Sequence, residues 1–76
     1  MPYIKQERRG VPPITPGELN YRITRLCADY WDNGNKSYQT LNDIIGALEA
    51  TKLEFYRRIV VPYENSKMVE NGDAYD

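Results

Sequence analysis

A chain of 76 residues forms one domain at most, and folding hides only roughly 60% of the surface that such a short chain exposes when unfolded. With one cysteine and no histidine it has no intramolecular disulfide, no Cys/His zinc set and no imidazole base for a nucleophile, so oligomerisation is the staple left to it. The net charge of −1 excludes the clearly basic character that marks a nucleic-acid binder, but the charge is uneven: residues 1–25 carry +3 and residues 62–76 carry −3, so one end of a chain attracts the other end of its own or a neighbouring chain.

Residues 1–14 read as an extended arm. Gly10 and the Pro12-Pro13 pair break any periodicity, and two consecutive prolines favour a polyproline path. Tyr3, Ile4, Val11 and Ile14 are its apolar anchors, expected to dock on another surface. The opening MPYIKQERRG has no apolar stretch of signal-peptide type, and no run of about 18 apolar residues offers a membrane span, so the expected setting is the cytoplasm.

A first helix is expected over 15–33. Thr15-Pro16-Gly17-Glu18 has the form of a capping box, with Thr15 as cap, Pro16 at the first helical position and Glu18 reaching back. Leu19, Ile23, Leu26, Cys27, Tyr30 and Trp31 follow at helical spacing, Arg25 and Asp29 form an (i, i+4) pair, and Asn33-Gly34-Asn35 stops the run. Cys27 sits in the apolar series and reads as a small packing residue.

A second helix is expected over 37–61, capped by Ser37. Leu41, Ile44, Ile45, Leu48, Phe55, Tyr56, Ile59 and Val60 form its apolar stripe, and Gly46, beside Ala47 and Ala50, offers room for another helix to come close. Pro62 biases Val61 away from helical geometry, so the helix is expected to end or kink there and to be followed by a short helix or kinked continuation over 63–71, closed near Gly72. The second helix outruns the first. Its far end, LEFYRRIVV, is therefore the expected homo-oligomer interface, with Leu53, Phe55, Ile59, Val60 and Gly46 as its residues. The expected fold is all-α: a helical hairpin with an extended N-terminal arm and a short C-terminal helix, assembled as a homo-oligomeric bundle.

Chemistry is sparse. Asp43, Glu49 and Glu54 are five or six residues apart, which spreads them round the helix, and neither long helix holds an ExxH or ExxE pair for a metal. No nucleophile–base pair and no phosphate-cradling glycine loop is present, so no catalytic residue, metal or cofactor is expected. Arg57 and Arg58 point about 100° apart on a regular helix, so one is expected to pair with Glu54 while the other faces a partner. Seven tyrosines supply apolar bodies with polar tips. The candidate ligand- or partner-binding residues are accordingly Arg57, Arg58, Tyr56, Tyr21, Arg22 and Tyr63.

The blocks MPYI, PGELNYRIT, YQTLNDIIGALE, KLEFYRR, PYE and ENGDAY together resemble a family of small proteins of unknown function associated with phages and prophages. The resemblance spans nearly the whole chain. It implies a phage-linked cytoplasmic setting and no particular activity. The expectation is thus a non-enzymatic, oligomeric interaction protein acting on a host or phage protein. The alternatives are an oligomeric sponge for a small anionic ligand, a nucleotide or cyclic nucleotide, that counters host defence, and a metal-dependent nucleotide hydrolase.

Overall fold

The computed structural model describes residues 4–75, and these are all helix, turn or irregular backbone, with no strand among them. The chain divides into two units, Met1–Ile44 and Ile45–Asp76. The first holds a 3-10 turn, Gln6–Arg8, helix α1, Pro16–Asn33, and the opening turns of helix α2, Tyr38–Phe55; the second holds the rest of α2, a π-helical turn, Tyr56–Val60, and helix α3, Val61–Asn71.

Local chemistry sets the helix ends. At the start of α1 the Thr15 backbone is extended (φ −127°, ψ 158°) and its hydroxyl accepts from the Glu18 N–H at 3.1 Å, with Pro16 just inside the helix. The expected capping box closes only halfway. The Glu18 carboxylate accepts from the Ile14 N–H at 3.1 Å, one residue before the cap, because an arginine from the arm holds it there. At the other end the Asn33 amide donates to the Asp29 carbonyl at 2.9 Å. Gly34 eases the exit: a Cβ there would lie 3.0 Å from the Tyr30 carbonyl oxygen, a tight contact.

The entry to α2 is a knot of hydroxyls. Ser37 Oγ accepts from the Thr40 N–H at 3.2 Å, and Thr40 Oγ1 donates to the Asn35 carbonyl while lying 3.1 Å from Ser37 Oγ. Thr40 is 8% exposed; with Glu18 at 7% it is one of two buried residues among those described, and both are polar.

Between α2 and α3 the backbone departs from expectation. Val61 is helical (φ −62°, ψ −48°), and the chain remains helical through Pro62 to Asn71. The cause lies in the ladder. Proline has no N–H for the carbonyl four residues earlier, here that of Arg58, and its ring crowds that oxygen. The Val61 N–H instead donates to the Tyr56 carbonyl, five residues back. One residue is thereby inserted into the turn ahead of Pro62, and the wider π turn absorbs a misfit that a regular α-turn does not. Gly72 closes α3 with φ +88° and an N–H donated to Met68 at 2.8 Å, a left-handed exit that suits glycine.

The expected extended arm is present, and a short 3-10 turn, Gln6–Arg8, lies within it. Ile14, one of its expected apolar anchors, is 78% exposed, and Tyr3 lies outside the described residues. What holds the arm is arginine. Arg8 grips Glu18 with two hydrogen bonds, Nη2–Oε1 at 2.8 Å and Nε–Oε2 at 3.1 Å, and donates to the Pro12 carbonyl at 3.3 Å. This pairing draws the Glu18 carboxyl below its ordinary pKa, with the Ile14 N–H adding to the effect, and raises the Arg8 guanidinium.

No apolar side chain among the described residues is buried. Each unit is held by caps, ion pairs and partial cover, and its apolar positions face water in part.

Candidate functional site

Arg57 and Arg58 occupy the π turn, and both face Glu54. Arg57 Nη2 meets one oxygen of the Glu54 carboxylate and Arg58 Nε meets the other. The expectation that one arginine stays free for a partner is therefore corrected: Glu54 stands three residues before one and four before the other, and it has an oxygen for each. The two arginine side chains are 72% and 71% exposed, so water screens the triad. Tyr56 donates its hydroxyl to Glu64 at 3.2 Å across the turn, and that bond raises the phenol above its ordinary pKa. Tyr63 carries the Lys67 ammonium 5.6 Å from its ring centroid. Arg58 lines a shallow hollow with Ala50, Phe55 and Ile59, whereas Tyr63 lines another with Lys67 and Met68.

The second unit also carries the candidate interface residues. Leu53, Phe55 and Ile59 are exposed, Val60 is half-buried, and a Cβ added to Gly46 meets nothing within 4 Å. They do not share one face. Ile45, Leu48, Phe55 and Ile59 follow at steps of three, seven and four and form one stripe; Gly46 and Leu53, seven apart, lie together roughly 100° or more round the helix.

Tyr21 and Arg22 lie in the first unit, where the arm meets α1. Arg9 Nε donates to the Ile4 carbonyl at 3.2 Å, and its guanidinium stands 5.2 Å from the centroid of the Tyr21 ring. Arg22 Nη1 donates to the Arg9 carbonyl at 3.0 Å. Arg25 is taken up by Asp29, to whose Oδ1 it donates from Nη2 at 2.7 Å and from Nε at 3.0 Å, and this pairing raises its pKa. Arg9, Tyr21, Arg22, Arg25, Leu26 and Asp29 line one hollow. Of the six candidate ligand residues, then, only Tyr21 and Arg22 meet here. Arg25, four residues after Tyr21 and three after Arg22, shares their helix face, but Arg9 escapes a helix-face reading because it lies twelve residues before Tyr21, beyond Pro12-Pro13. The Arg8-Arg9 doublet just ahead of those prolines is the one sequence signal that pointed there.

Two guanidiniums are thus positioned by backbone carbonyls rather than by carboxylates. Among the described residues, no carboxylate lies within 4.0 Å of Arg9 or Arg22, and no three Cys, Asp or Glu side chains gather as metal ligands. Cys27 is free and half-buried. No described helix is long and apolar enough to cross a membrane. No curated protein and no solved structure matches the chain. A family model does, over residues 1–74, and its description is a domain of unknown function, DUF6899.

Proposed function

The chain belongs to the DUF6899 family, a domain of unknown function, and from that premise we propose that it is a non-catalytic, homo-oligomeric interaction protein that acts on a host or phage partner. The observation that carries the reading is the lack of any buried apolar side chain among the described residues. A helical chain that leaves its apolar stripe in water lacks the main driving force of folding.

The occupant of the stripe is a second copy. Ile45, Leu48, Phe55 and Ile59 are 65%, 38%, 59% and 55% exposed. Full burial of such a side chain stabilises by about 1.5–3 kcal/mol, so covering what remains open on these four supplies about 3–6 kcal/mol per chain. That is comparable to the whole net stability of a small domain, about 5–15 kcal/mol. The same stripe on a two-fold partner is self-complementary. The basic first third and acidic last fifth of the sequence favour neighbours that bring unlike ends together. The phage or prophage setting is proposed from the sequence resemblance, which also implies a cytoplasmic location.

Sedimentation velocity on the full chain at micromolar concentration tests the assembly. The expected species has a mass that is a multiple of 8.9 kDa. A monomer that melts cooperatively at the same concentration overturns the proposal.

A further inference from the structure

We infer that the hollow between the arm and α1 binds the phosphate group of a small phosphomonoester through Arg9 and Arg22. The site lies within one unit of one chain and does not depend on the assembly proposed above.

The argument starts from unused donors. Arg22 spends Nη1 on the Arg9 carbonyl, and among the described residues its Nε and Nη2 have no hydrogen-bond acceptor. Arg9 spends Nε on the Ile4 carbonyl, and its two terminal nitrogens likewise have none. Both side chains are nevertheless held: Arg9 by its carbonyl and by the Tyr21 ring, Arg22 by the carbonyl of Arg9 itself. Ordering a long side chain costs entropy, and here the fold has already met that cost. Three guanidiniums face one carboxylate in the hollow, so its charge is positive. Asp29 repels an incoming anion, but its Oδ1 is already occupied by Arg25.

Charge and geometry select the ligand class. A fork of two N–H groups on Arg22 fits two oxygens of one anion, and Arg9, which lines the same hollow, has terminal nitrogens free for a third. A planar carboxylate brings one negative charge and holds its two oxygens in a single plane. A phosphomonoester has three terminal oxygens and close to two negative charges near neutral pH, which matches both arginines. The Tyr21 ring already carries Arg9. Recognition therefore lies in the phosphate, and a nucleoside monophosphate and a simple sugar phosphate bind alike.

The test is an NMR titration of the full-length protein with inorganic phosphate, then with adenosine 5′-monophosphate and ribose 5-phosphate, reading the arginine side-chain N–H resonances. Saturable shifts at Arg9 and Arg22 are expected with all three. R22Q should weaken binding at least tenfold. R22K, which keeps the charge and loses the fork, should weaken it several-fold. R57Q should leave it unchanged. A circular-dichroism melt of each variant separates lost binding from lost folding. Shifts that fail to saturate, R22Q binding equal to wild type, equal losses in R57Q and R22Q, or a response to the nucleotide alone overturn the inference.

Discussion

Replacing Ile59 by aspartate is the sharpest perturbation of the proposed interface. Ile59 is 55% exposed in the single chain. Completing its burial supplies about 0.8–1.6 kcal/mol per chain, and a symmetric dimer makes that contact twice, so losing the apolar cover costs about 2–3 kcal/mol. An aspartate at the same place also loses hydration without a partner, a penalty of several kcal/mol per ion. A combined loss of about 4 kcal/mol or more raises a dissociation constant roughly a thousandfold, since each tenfold step is about 1.4 kcal/mol. Sedimentation velocity across a hundredfold concentration series should show I59D as monomer where the wild type is assembled, with a fall in helical circular dichroism as the stripe returns to water. The control is V69D: Val69 is 89% exposed on α3 and outside the stripe, and its change should leave the assembly intact. If I59D sediments as the wild type does, or if V69D dissociates equally, the stripe is not the interface.

Gly46→Ala should stabilise the helix by about 1 kcal/mol, because the new methyl meets nothing and glycine is a poor helix former; a loss of assembly would move the interface to the Gly46–Leu53 face. Thr40→Val should cost about 1–3 kcal/mol in a thermal melt, since it removes the donor to the Asn35 carbonyl at a nearly buried position; a melt unchanged from wild type would show the knot to be inert. Glu18 has a folded pKa below the unfolded value of about 4.3, so its contribution is complete above that value and fades as pH falls through the depressed one. The melting temperature should therefore drop on acidification below about pH 4.3, and E18Q should start lower at neutral pH and lose part of that acid dependence. An E18Q acid profile parallel to wild type refutes that role.

Much of the local structure can be read along the chain because its causes are local. Thr15 caps an N–H three residues on, Ser37 does the same for α2, and Gly72 supplies the one backbone conformation at the end of α3 that glycine favours. The apolar spacing of the helices likewise needs no knowledge of neighbours. Pro62 marked the irregular turn and the helical continuation to Asn71, and only the bias it places on Val61 was not realised. The rule for the residue before proline is a preference, and Val61 stays helical against it, while the π turn takes up the proline's missing N–H and its ring's crowding of the carbonyl four residues back. Arg57 and Arg58 misled because the direction of each side chain was judged separately, whereas one carboxylate served both.

Residue type and periodicity alone determined that this chain is all-α, that its helices carry apolar stripes, and that it lacks the imidazole and paired thiols of common catalytic and zinc chemistry. Only the tertiary structure decided which partners the arm's arginines meet. Arg8 finds Glu18 ten positions away, and Arg9 finds Tyr21 twelve positions away, through a bent path that includes two prolines. Helical periodicity fixes neighbours three and four residues apart; the partners of an irregular arm follow from its path through space, which no spacing rule encodes.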